Sequence, residues 1–199
     1  MVIAAIMLLG AGSLQIYNSY ENNRVEKETV EVVSKIEEVY LQQITQRQET
    51  NNNQQTETDE QKKTVEIEGY NYIGLLSIPS LDNLTLPVIN ECSAQNLKKS
   101  ICRYNGTAEN GNLVIGGHNY RYSFGKLTKL NVGSIVYFKN MEGKLFKYKC
   151  TEVLTLSPQD VYELQTGNWD LTLFTCTYDN RNRLVLRFEQ IWKHFIVTI

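Results

Sequence analysis

The sequence predicts a mainly β domain behind an N-terminal helical segment. Three observations carry this. From Tyr70 onward the apolar runs are short and separated by turn signals such as Asn105-Gly106, Asn110-Gly111 and Glu142-Gly143, the punctuation of a barrel or sandwich. Within Lys144–Val153, Leu145, Lys147 and Lys149 alternate with Phe146, Tyr148 and Cys150, so one strand face is wetter than the other. Before Thr64 no such pattern occurs.

The opening stretch, MVIAAIMLLGAGSLQIY, carries no charged side chain. As a helix it is about 25 Å long, a little under a ~30 Å hydrocarbon core. It lacks a basic n-region, which favours an uncleaved signal-anchor over residues 1–19 rather than a cleaved signal peptide or a buried core helix. An anchor puts the remainder outside the cytoplasm. Residues 20–66 read as a helical stalk followed by a polar tether. Val25, Thr29, Val32, Ile36, Val39 and Gln43 recur with 4-3-4-3-4 spacing, the seam of a helix that packs on something. Two good heptads suit a short stalk or a docked helix better than a dimerising coiled coil. Gln46–Lys63 has no apolar residue, so nothing in it offsets the entropy of ordering.

The globular part, 67–199, has candidate strands at Tyr72–Ile78, Thr85–Val88, Asn112–Gly116, Ser134–Lys139, Lys144–Leu154, Asp170–Thr175 and Arg183–Gln190. Short helices are expected at Cys92–Tyr104, with Ser93 as cap and Leu97 and Ile101 facing inward, and at Pro158–Gln165.

Composition excludes several classes. Twenty Lys+Arg against 22 Asp+Glu give a formal charge of −2, so this is not a generally basic nucleic-acid coat. Hydrophobic residues make up 42%, too many for disorder and too few for several membrane spans. The four cysteines form no C-x-x-C pair and neither of the two histidines stands at zinc-finger spacing, so no structural zinc site is expected. Cys92 and Cys102 are either a pair or packing residues, and Cys150 is core.

Cys176 differs. It ends the strand Leu171–Thr175 and opens onto the polar stretch Thr177–Asn182. A thiol there is fixed yet reachable, as a nucleophile must be. His118 follows a strand and two glycines, whereas His194 sits among bulky residues near the C-terminus; His118 is the better acid or base. The next strand puts Arg183, Val185 and Arg187 on one face. If it pairs antiparallel with the Cys176 strand, a guanidinium returns beside the thiol, where it favours thiolate and can bind an oxyanion.

In order along the chain, these residues resemble the sortase family of Gram-positive transpeptidases. Thr172-Leu173-Phe174-Thr175-Cys176, then Arg183-Leu184-Val185-Leu186, resembles the family's TLxTC…R signature. Asn112–Asn119 resembles its strand ending in the catalytic His. Phe124-Gly125-Lys126-Leu127 with Leu130 and Val132-Gly133, and Ile73-Gly74 and Ile78-Pro79 through Pro87-Val88, resemble other family segments. The likeness spans about Ile73 to Phe188. It implies an eight-stranded sortase-type β-barrel with Cys176, His118 and Arg183 at one site, and with Asn119 and Thr175 as substrate-contacting neighbours. It implies attack of Cys176 on an LPxTG-like sorting signal of a secreted protein. A thioacyl-enzyme follows, resolved by an amine of a peptidoglycan cross-bridge or a pilin lysine.

No cofactor is implied; Glu142 and Asp160 are the carboxylates a calcium site would draw on. Cys176 and Arg183 lie only seven positions apart, short for the family, which leaves Arg181 and Arg187 as alternative cations. The loop before Asp170 lacks a long helical insert of the class B kind, and no class C lid motif precedes the barrel, so the subclass stays open. The competing readings are a Cys/His endopeptidase and a catalytically inactive surface-binding barrel.

Overall fold

A computed structural model describes residues 2–49 and 63–191. Nine strands form one sheet: β1 (Val65–Ile67), β2 (Tyr70–Ile78), β3 (Leu84–Ile89), β4 (Ile101–Asn105), β5 (Leu113–Gly116), β6 (Ile135–Asn140), β7 (Leu145–Leu156), β8 (Leu171–Cys176) and β9 (Arg183–Gln190). Their order is β1-β2-β3-β4-β5-β8-β9-β7-β6, and β6 pairs back onto β2. Strands β2 to β9 therefore close an eight-stranded barrel, with β1 added beside the first residues of β2. Closure runs through Gly74, at a bulge in β2 with φ +152°, where a Cβ would stand 2.1 Å from the Lys139 carbonyl oxygen. Only glycine tolerates both that backbone and that approach.

All seven expected strands form. Two more appear. β1 begins at Val65, just ahead of the expected domain start. β4 occupies the second half of the expected Cys92–Tyr104 helix. The helix itself, α2, is limited to Ala94–Lys99, where the Ser93 side chain accepts the Asn96 N–H as cap. Ser100 then turns extended, and Ile101 and Cys102 pair in parallel with Val88 and Ile89. Leu97 packs inward as expected, and Ile101 does so from a strand. A 3-10 helix at Phe124–Lys129 was not anticipated. The expected Pro158–Gln165 helix shortens to α3, Val161–Gln165.

Three apolar layers hold the fold. The barrel interior is filled by Leu76, Val88, Ile115, Phe146, Tyr148, Leu173 and Phe188 among others, with Cys150 sealed among them. On the outer face beneath α3, Val114, Leu156, Leu164 and Val185 form a second cluster, joined by Tyr104, Leu154 and Phe174. The third layer lies under the N-terminal helix, α1 (Val2–Glu49). Val32, Ile36 and Tyr40 of α1 are buried against Ile67, Tyr72, Leu75, Ile89 and Met141. The expected seam is this packing face, with Val25, Thr29, Val39 and Gln43 half-buried along it. Tyr40 completes it: its hydroxyl donates to the Lys139 carbonyl at 3.0 Å and its ring sits under the Lys139 ammonium.

Gln46–Glu49 are helical rather than part of the tether, because the helix extends past its last packed turn. Residues 50–62 of the expected tether lie outside the described residues. Among the described residues no helix is long and apolar enough to cross a membrane; the side chains of the expected anchor, 1–19, fall outside that description.

Candidate active site

The site grows from two strand pairings. Strands β8 and β9 are an antiparallel hairpin in which Cys176 faces Arg183 directly. Directly opposed residues share a face, so thiol and guanidinium project from the same side of the sheet. That side is the outer one, because the alternate residues Leu171, Leu173, Leu186 and Phe188 fill the barrel interior. The short connection closes tightly. The Thr177 N–H donates to the Asn182 carbonyl at 2.8 Å, and the Asn180 N–H to the Thr177 carbonyl at 2.9 Å. Asn180 takes a left-handed φ of 57°, a conformation Asn tolerates in turns. The seven-position spacing is thus what makes Cys176 and Arg183 cross-strand partners.

The second pairing is parallel, β5 with β8, in the register Gly116 to Phe174. Its last pair is closed by the Gly117 N–H, which donates to the Phe174 carbonyl at 3.1 Å. Beyond it, the Asn119 amide donates to the Thr177 carbonyl at 3.2 Å, so the segments after both strands are tied together. The two glycines have a packing reason. A Cβ on Gly116 would meet the Phe174 ring at 2.6 Å, and one on Gly117 would meet Ile101 and Phe124 at 2.7 Å.

Cys176 is solvent-exposed, while Cys150 is fully buried. The His118 imidazole is half-buried and stacks on Tyr120, centroids 4.8 Å apart. Burial first, and then the positive charge of Lys98 on α2, lower it below the ordinary histidine value of 6.5; both disfavour imidazolium.

A sequence model of the Sortase domain matches residues 76–190, more than half of the chain. The chain belongs to the sortase family. In fold it is similar to the sortase D5 transpeptidase of Clostridium perfringens (TM-score 0.58, 21% identity, 78% of this chain and 99% of that one). It is also similar to sortase A of Corynebacterium diphtheriae (TM-score 0.55, 24% identity, 63% of each chain) and to sortase C1 of GBS Pilus Island 1 (TM-score 0.54, 23% identity, 63% of this chain and 68% of that one). No curated protein matches the chain.

Within this sortase barrel the three arginines have separate surroundings. Arg181 lies in the hairpin turn, its side chain 84% exposed and near Asp179. Arg187 faces Thr172, pairs with Glu152 at 3.0 Å, donates to the Glu163 carbonyl at 2.9 Å and covers the Trp169 ring; it is engaged in holding α3 to the sheet. Arg183 lies over the Phe174 ring at 5.7 Å. One of its terminal nitrogens is shielded from solvent and has no hydrogen-bond partner among the described residues. Arg187 also keeps one buried nitrogen, Nε, unpaired, but of the three Arg183 alone stands cross-strand from Cys176 and has no carboxylate partner among the described residues.

Phe174 is the residue that motif reading passed over. Its ring lies against Gly116, under Arg183 and edge-on to Tyr104, 5.3 Å between centroids. Its signal in the sequence was the alternation with Cys176. Thr175 is 2% exposed and its hydroxyl has no partner among the described residues. It belongs to the opposite strand face from Cys176. Asn119 spends its amide on Thr177, with Asn180 at 3.5 Å. Glu142 accepts from Asn140, and Asp160 accepts the Ser157 N–H. No group of three or more metal-binding side chains occurs among the described residues.

Proposed function

We propose that this sortase is a cysteine transpeptidase anchored by residues 1–19, with its barrel (67–199) outside the membrane and residues 20–66 linking the two. The substrate class is a secreted protein ending in an LPxTG-like sorting signal. The Cys176 thiolate attacks the Thr carbonyl, forming a C–S bond. Arg183 holds the substrate and the tetrahedral oxyanion with its forked donors. As the Thr–Gly C–N bond breaks, His118 gives its proton to the leaving amine. An amine of the cell-wall cross-bridge or a pilin lysine then attacks the thioester. It passes a proton to His118 and releases Cys176.

The observation that carries the reading is the Cys176–Arg183 cross-strand pair, whose guanidinium has an unpaired nitrogen among the described residues. A His118 poised to be neutral fits it too. The competent state, thiolate with imidazolium, is then a minority species, and its imidazolium is a stronger acid for that reason. Among the described residues no side chain hydrogen-bonds the imidazole, and the Asn119 amide is committed to Thr177, which removes the orienting group a Cys/His/Asn endopeptidase would use.

The test is mass spectrometry of the full chain with a panel of sorting-signal peptides, with and without triglycine. A thioacyl adduct on Cys176 that resolves to the triglycine conjugate is expected. Product that is only hydrolysed in excess amine marks an endopeptidase. A Cys176 that labels no faster than Cys150 with a thiol probe marks an inactive barrel.

A further inference from the structure

The reaction leaves three cysteines unused. Cys150 is sealed in the barrel interior. The other two meet on the helix side of the wall. Cys92 lies between β3 and α2 and is half-buried, while Cys102 lies in β4 and is buried. Cys102 pairs with Ile89 on one side and Gly116 on the other. The Cys92 sulfur approaches the Cys102 carbonyl at 4.0 Å across ten sequence positions, and both side chains belong to the apolar layer under α1. The intervening residues are α2 with its Ser93 cap, which returns the chain on itself.

We propose that Cys92 and Cys102 form an oxidisable dithiol, converted to an intramolecular disulfide by a low-molecular-weight disulfide of the glutathione class. The two sulfurs divide the work. Cys92 is the more accessible, and a hydrogen bond with Cys102 lowers its thiol, so it attacks first. That exchange forms a Cys92–glutathione disulfide and releases one glutathione thiolate. Cys102, which Cys92 and burial hold up as a thiol, attacks second. It loses its proton to solvent, breaks the mixed disulfide and releases the second glutathione. Two protein thiols are oxidised and one glutathione disulfide is reduced. The bridge ties both ends of α2 to β4. Because α2 carries Lys98, the charge that lowers His118, it also fixes that charge in place.

The test uses the full chain carrying Cys176→Ala, so that the exposed thiol is not counted. After oxidised glutathione, the protein is unfolded, alkylated and weighed. Expected are a single alkylated thiol, Cys150, a mass lower by two hydrogens before alkylation, and a linked peptide pair holding Cys92 and Cys102. With Cys102→Ser added, the reaction stops at a glutathione adduct on Cys92. With Cys92→Ser added, Cys102 gains no adduct; this variant changes a half-buried loop residue and stands should Cys102→Ser fail to fold. Three alkylated thiols, a glutathione that stays on Cys92 beside a free Cys102, or a Cys102 that reacts as fast without Cys92 would each overturn the proposal.

Discussion

Replacing Arg183 tests the site most directly. Its guanidinium stands across from Cys176, no carboxylate neutralises it among the described residues, and one of its nitrogens is unpaired. Removing a preorganised oxyanion donor costs about 3 kcal/mol, or roughly 10²–10³ in kcat. Its folded-state anchor is slight by comparison: the Phe174 ring at 5.7 Å is worth about 0.5–1 kcal/mol. Arg183→Ala should therefore abolish most turnover while moving the thermal midpoint little. Arg183→Lys keeps the charge but loses the fork, and should recover less than about tenfold of the loss. The assay is kcat/KM on a fluorogenic sorting-signal peptide with triglycine, alongside thermal unfolding of each variant. Arg181→Ala, altering a turn residue 84% exposed, is the control and should be near neutral. If Arg181→Ala hurts more than Arg183→Ala, or Arg183→Ala unfolds the barrel, the assignment of the oxyanion cation fails.

Three further outcomes are expected. The His118 ring should titrate below 6.5 by NMR, and Lys98→Gln should move the midpoint up, since Lys98 is one cause of the shift. The native state then binds fewer protons than the unfolded chain near pH 6.5, so His118's contribution to stability should fall as pH drops through that value; a midpoint at or above 6.5 contradicts this. Ile36→Ala empties a site 0% exposed between α1 and the barrel and should cost about 2–5 kcal/mol in urea unfolding. An unchanged midpoint would mean that α1 contributes nothing to the domain. Gly116→Ala drives a Cβ to 2.6 Å from the Phe174 ring and should cost on the order of ten- to a hundredfold in kcat/KM by displacing the platform under Arg183. In a Phe174→Leu background the same change should cost far less; equal losses would show that the ring is not the route.

Charge follows the same division between holding and acting. Lys35, Lys99, Glu28 and Glu68 link α1 to the barrel edge at 2.8–3.2 Å, all partly exposed and Lys99 the least so; pairs in contact with solvent set orientation more than stability. Arg187 is drawn into packing by Glu152 and Trp169. Arg183 lies over the Phe174 ring but has no carboxylate partner among the described residues.

What the sequence determined by itself was whatever depends on neighbours along the chain. The 4-3 spacing on α1 specified its packing face, and alternation along β7 and β9 specified which side chains face inward. The polar turn Thr177–Asn182, between two β-rich runs, specified a hairpin that sets Cys176 against Arg183. The tertiary structure decided the rest. β4 reads locally as helix because it follows a well-capped helical turn, and only its parallel partner β3 and antiparallel partner β5 make it a strand. Closure of β6 onto β2 is invisible in either segment alone. That Asn119, next to His118, reaches Thr177, next to Cys176, follows from a parallel pairing between strands more than fifty residues apart. Which arginine remains free depends on where Glu152, Trp169 and Phe174 arrive in space, because hydrogen-bond and ring partners are assigned by the closed barrel and not by order along the chain.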